Sequence, residues 1–224
     1  MLKKQINGVK LEISEDDIST KMADILRSNE YETTESKQIP RIVQNGDIIV
    51  ELGGGIGYIS TLCHLQKKAK KIVVFEANPT LIPIIEKTHS LNGVTAEVIN
   101  AVVLPRKTSE TVPFYVRDDF WASSLSKEPW GYKDTVDVPV VSMKEILARY
   151  KPTMLIVDIE GGESQLFNEN PPLTGVKKIY MELHQNLLGR VGMKRIFDSL
   201  SEKDFHYDAW HSENNVVLFS HVLR

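Results

Sequence analysis

With a single cysteine, Cys63, the 224-residue chain cannot form an intrachain disulfide, so its fold has to rest on a packed core. Cys63 itself reads as a small apolar residue on a helix. The chain also lacks an apolar stretch of membrane-spanning length, and residues Met1 to Lys10 are largely polar. Neither a transmembrane helix nor a secretory leader is expected, no membrane partner follows, and the cytoplasm is the expected location. A basic excess is missing too. Net charge is -3 and the pI is near 6.1. The one dense cationic run, Lys67-Lys68-Ala69-Lys70-Lys71, is too short to track a phosphate backbone, so no nucleic-acid partner is expected. That run fits a solvated helix end. Repeats and low-complexity linkers are absent as well, and 42% hydrophobic with 25% charged residues suffices for one full α/β core.

What the chain does have is a glycine loop. Glu51-Leu52-Gly53-Gly54-Gly55-Ile56-Gly57 follows the apolar run Ile48-Ile49-Val50, and Glu76 closes the next apolar run, Ile72-Val73-Val74-Phe75. A strand, a glycine-rich turn and a carboxylate at the end of the following strand describe a nucleoside cleft with a ribose-gripping acid. A dinucleotide loop would read G-x-G-x-x-G, and here Tyr58 stands at the third glycine. Glu51 would repel a pyrophosphate and attract a ligand carrying an ammonium and a sulfonium. The expected cofactor is therefore S-adenosylmethionine.

The hydrophobic pattern places the cleft. Ser14 with Asp17 reads as a capping box for a helix over 15–28, and a second helix is expected around 34–44; together residues 1–45 form a helical extension on the core. Beyond it, strands at 48–52, 72–76, 95–100, 154–158 and 178–182 alternate with helices, and two antiparallel strands, 207–211 and 216–221, close the chain. The expected fold class is α/β: a doubly wound, mostly parallel, seven-stranded Rossmann-like sheet over 46–224 with an antiparallel C-terminal strand. Residues 104 to 140 interrupt the rhythm and read as an inserted hairpin with an aromatic loop, in which Trp121 and Trp130 are candidates to stack on an acceptor. Asn170-Pro171-Pro172-Leu173 reads as a loop turn, because a catalytic N-P-P run belongs at the end of the fourth strand, where Asp158 stands.

In such a sheet ligands bind beyond the carboxyl ends of the strands. Asp158-Ile159-Glu160-Gly161-Gly162-Glu163 leaves the fourth strand and Glu182-Leu183-His184 the fifth. If the strands run that far, period-two geometry puts Asp158 with Glu160, and Glu182 with His184, on one face. Like charges gathered at one edge call for a ligand, cation or proton to compensate them.

Read in order, Tyr31-Glu32, Gly46-Asp47, the Glu51–Gly57 loop, Phe75-Glu76-Ala77-Asn78-Pro79, Leu91-Asn92, Asp158-x-Glu160-Gly161-x-Glu163 and Glu182-x-His184 resemble the FkbM family of class I S-adenosylmethionine-dependent methyltransferases. The chain departs from that family's pattern at Glu51, Gly55 and Val157. The resemblance implies O-methylation of a hydroxyl on a sugar or natural product, with a small-molecule or glycan acceptor. The expected cofactor-binding set is Glu51, Gly53, Gly55, Gly57, Tyr58, Glu76, Ala77, Asn78, Asn100, Ala101 and Asp158, with Tyr31. Methyl transfer is an in-line displacement, and a hydroxyl acceptor must also lose a proton. His184 is the expected general base, with Glu160 and Glu182 to orient it or raise its basicity. No metal is assigned, although Asp158, Glu160, Glu182 and His184 form an oxygen-rich set that a divalent cation could use. A nicotinamide-dependent oxidoreductase and a catalytically silent cofactor-binding module are the competing functions.

Overall fold

The computed structural model describes residues 1–128, 131–168 and 171–223. Trp130 and Asn170 lie outside them.

The chain begins with a hairpin where a helical extension was expected. β1 (Leu2–Ile6) and β2 (Val9–Ile13) pair antiparallel across Asn7-Gly8. Both turn residues have positive φ, 49° and 89°, as a two-residue hairpin turn demands. In β2 alternate residues Val9, Leu11 and Ile13 face inward. Helix α1 (Thr20–Ser28) starts only after Ser19, whose hydroxyl accepts the Met22 N–H. Ser14 and Asp17 close a backbone turn instead of a capping box. α2 (Thr33–Ile42) then leads into the sheet.

Seven strands follow in the spatial order β11-β12-β10-β9-β3-β4-β5. They are β3 (Ile48–Leu52), β4 (Lys71–Glu76), β5 (Glu97–Asn100), β9 (Met154–Val157), β10 (Lys178–Glu182), β11 (Phe205–Glu213) and β12 (Val216–His221). The five strands from β10 to the β5 edge are parallel, and β12 is antiparallel to both β10 and β11. This is the expected fold class. Helices cover both faces: Ile49, Val74 and Ile156 pack on one side, Val50, Val73 and Leu155 on the other. Burial on both faces explains why these strands read as continuous apolar runs. From β3 the chain winds through α3 (Tyr58–Leu65), β4 and α4 (Ile82–Asn92) to β5, then returns to place β9 on the other side of β3. The order reverses between β3 and β9, and a crevice opens there.

The insertion is larger than a hairpin. β7 (Thr111–Val116) and β8 (Asp134–Ser142) pair antiparallel as expected, and β6 (Val102–Leu104) adds to β8 in parallel. Ser142 and Glu145 make a capping box on α5 (Met143–Tyr150), and that spacing is a helix start that the sequence itself displays. Between β9 and β10 lies α6 (Glu163–Asn168). The last helix is α7 (Gln185–Ser201), and Gly189 (φ 61°, ψ 176°) breaks its regularity, which hides the first turns from a periodicity reading.

Candidate functional site

At the switch point β3 and β9 run side by side, with Leu52 opposite Val157, and both chains leave the sheet at the next residue. Gly53 has φ of +88°, and a Cβ there would lie 1.8 Å from the Asp158 carbonyl oxygen. Only glycine lets these two turns meet. The loop is then held from the side by Glu76, whose Oε2 accepts the Gly55 N–H at 3.0 Å and whose Oε1 accepts the Asn78 N–H at 2.7 Å. Asn100 donates to the Glu76 and Ala77 carbonyls and stiffens the same wall.

The resulting cleft has a volume of about 440 Å³, within the range of small-molecule sites. Gly53, Gly55, Glu76, Ala77, Ala101, Asp158 and Tyr31 of the expected set line it. Glu51 lines a smaller adjoining pocket with Tyr58. Gly57, Asn78 and Asn100 line neither pocket, and Asn78 and Asn100 instead hydrogen-bond to Glu76. The Tyr58 hydroxyl turns toward Ser36 and Asn7, and its ring meets Tyr31 edge-on. Trp121 does reach the mouth of the cleft, with the Lys21 ammonium 5.2 Å above its ring, so α1 and the insertion clasp the opening. Sequence reasoning missed the acids that α2 brings, Glu32 and Glu35, and the apolar wall of Met22, Phe75 and Phe114. The signal for Glu32 was its place beside Tyr31; the apolar wall had no signal beyond core periodicity.

Asp158, Glu160, Glu182 and His184 converge as expected, by a different route. β9 stops at Val157, so pleating does not align Asp158 with Glu160; a turn does, with Glu160 at φ 49° and Gly161 at φ 93°. His184 Nδ1 lies 2.7 Å from Glu163 Oε1. Its Nε2 is 3.6 Å from Asp158 Oδ1, 3.5 Å from Glu160 Oε2 and 3.8 Å from Glu182 Oε1. Glu182 Oε1 also accepts from Asn215 at 2.6 Å, which ties the cluster to the β11–β12 turn.

Burial drives the electrostatics here. It pushes Asp158 well above the usual carboxylate range, with the Glu182 charge adding to it, and does the same to Glu32, helped by Glu35. Glu51 is raised to about 8 by burial, against the lowering contact with Ser60. For His184 burial works downward, but Glu160, Glu163 and Asp158 outweigh it and push the imidazole up to about 11. The expected general base thus holds its proton at neutral pH unless a bound cation or ligand cancels the carboxylate field.

Residues 7–111 match the model of the TRM5/TYW2 methyltransferase domain. No curated protein matches. Among solved structures, Trm5b from Pyrococcus abyssi aligns with 97% of this chain and 53% of its own, at 13% identity and a TM-score of 0.50. M. jannaschii tRNA m1G37 methyltransferase aligns with 98% and 54%, at 15% identity and a TM-score of 0.51. M. jannaschii TYW2, crystallised with AdoMet, aligns with 98% and 86%, at 11% identity and a TM-score of 0.51. The chain spans about half the length of the first two proteins. Its fold is that of S-adenosylmethionine-dependent methyltransferases, and the expected cofactor is the one this fold carries.

The matched domain overturns the FkbM resemblance. The motif that weighed most in it, Asp158-x-Glu160-Gly161-x-Glu163, lies outside the matched residues, and the Glu51–Gly57 loop inside them serves S-adenosylmethionine clefts generally. The expectations of a small-molecule or glycan acceptor and of no nucleic-acid partner fall with it. Net charge had excluded nucleic acid, but a whole-chain charge does not report the field at one cleft. Among the described residues no helix is long and apolar enough to cross a membrane.

Proposed function

We propose that this chain is an S-adenosylmethionine-dependent methyltransferase acting on a nucleoside of RNA, with a tRNA as the acceptor class. The observation that carries the reading is the match of residues 7–111 to the TRM5/TYW2 methyltransferase domain, a stretch holding β2, the glycine loop and Glu76. The cofactor would lie over Gly53 and Gly55, with Glu76 and Ala77 toward the ribose and Glu51 and Asp158 toward the cationic methionine end. Its sulfonium methyl would then face the opening between Trp121 and the Glu160–Glu182–His184 cluster. There the protein's task is to hold a nucleophile in line with the methyl and leaving sulfur, about 3 Å away. Glu160 and Glu182 are the carboxylates within reach of the acceptor's proton.

The test is incubation of the full chain with labelled S-adenosylmethionine and unmodified tRNA transcripts, followed by nucleoside mass spectrometry. One methylated nucleoside is expected. Cofactor binding without transfer to any RNA in the panel would refute the acceptor assignment.

A further inference from the structure

We propose that Asp158, Glu160 and His184 form a divalent-cation site beside the cofactor cleft. One oxygen of each carboxylate and one ring nitrogen lie within 4.8 Å of one another. Ligand atoms about 2.0–2.6 Å from a shared ion sit roughly 3–4.5 Å apart. The separations of His184 Nε2 from Asp158 and Glu160, 3.6 and 3.5 Å, fall in that interval. They are too long for charge-assisted hydrogen bonds, which close to about 2.7–2.9 Å. Nε2 therefore faces three carboxylates, Glu182 included, at a distance that suits an ion between them better than a proton on it.

Two independent features point to the same occupant. The first is the far side of the ring, where His184 Nδ1 donates to Glu163 Oε1 at 2.7 Å. A metal-bound histidine gives its second nitrogen to a carboxylate in this way, which fixes the tautomer that presents the other nitrogen to the ion. Glu163 is 0% exposed, an unusual place for an acid, and its Oε2 has no hydrogen-bond partner. The second is Asp158 Oδ1: the side chain is 39% exposed, but this oxygen is enclosed, has no hydrogen-bond partner and lies 3.6 Å from Nε2. A buried carboxylate oxygen left so is costly, and a cation satisfies it. With two carboxylates, a third in Glu182 and one imidazole, the donor set suits Mn²⁺ better than a thiolate-seeking metal. On the reading of an RNA acceptor, the ion would also cancel negative charge that otherwise repels the substrate at the mouth of the cleft.

Paramagnetic resonance of Mn²⁺ titrated into the full chain, without RNA, tests the site. One saturable Mn²⁺ per chain is expected. Glu160→Gln and His184→Gln should weaken it at least about tenfold, and Glu163→Gln by about 10- to 100-fold, the usual loss for a residue that orients a ligand. S-adenosylhomocysteine affinity, measured on the same samples, should persist in each variant and shows that they are folded. Absence of saturable Mn²⁺ binding, or equal binding by wild type and the Glu160 and His184 variants, overturns the site. Since RNA takes no part in the measurement, a failed methylation assay with intact Mn²⁺ binding removes only the acceptor reading, and methylation without Mn²⁺ binding removes only the cation.

Discussion

Glu51, proposed to face the cationic end of the cofactor, shows what such a place costs the fold. It is 2% exposed, its Oε2 has no hydrogen-bond partner, and burial raises its pKa to about 8. Below an unfolded-state value near 4.5 the residue is protonated in both states and imposes nothing. As pH rises from there toward 8 the unfolded chain ionises while the folded one holds its proton, so stability falls, by about 1.4 kcal/mol per unit in the limit of a single group. Above 8 the penalty is complete. Glu51→Gln should remove it: urea unfolding of cofactor-free protein between pH 5 and 8.5 should show a shallower decline in the variant, which should be the more stable by a few kcal/mol at the alkaline end. Identical slopes would mean that Glu51 is ionised in the fold. The proposed cationic ligand would relieve that strain, and the position of the acid was legible: a carboxylate at a strand end before a glycine loop is a local signal. The hydrogen bonds of Glu76 to Gly55 and Asn78 were not, because they depend on how the loop folds back on the next strand.

Elements are positioned by a few buried contacts that link distant parts of the chain. Lys178 and Asp47, with side chains 8% and 5% exposed, pair at 2.7 Å. Asp47 also accepts from the Gln44 N–H and the Thr153 hydroxyl, so one carboxylate joins the starts of β3, β9 and β10. Removing one member of such a pair strands the other in the core, and Asp47→Ala should cost about 3–5 kcal/mol. A chemical-denaturation midpoint close to wild type would show that the link contributes nothing. Strand centres could be read from apolar runs and the α5 cap from Ser142-x-x-Glu145, since those signals are local. The first hairpin was readable in principle, from Asn7-Gly8 between alternating residues, but its two strands are short and the neighbouring Ser14 and Asp17 imitate a helix start. β6 carried no such mark: a three-residue strand becomes one only by pairing with β8, far along the chain.

For the molecule as a whole, the doubly wound order could be inferred because alternating strands and helices leave few topologies, and the crevice at the β3–β9 reversal follows from the order itself. The acceptor was not inferable in this way. It depends on the surface around Trp121 and on the acids that α2 adds to the cleft, and the motif that suggested a sugar or natural product lies outside the matched domain. Calorimetric titration of the full chain with S-adenosylhomocysteine tests whether the crevice between β3 and β9 is a cofactor cleft. One site per chain is expected, with no heat from NAD. Gly53→Ala should abolish binding in protein that keeps its circular dichroism, since its Cβ would collide with the Asp158 carbonyl. Binding of NAD in place of S-adenosylhomocysteine, or unchanged binding by Gly53→Ala, would show that this crevice is not an S-adenosylmethionine site.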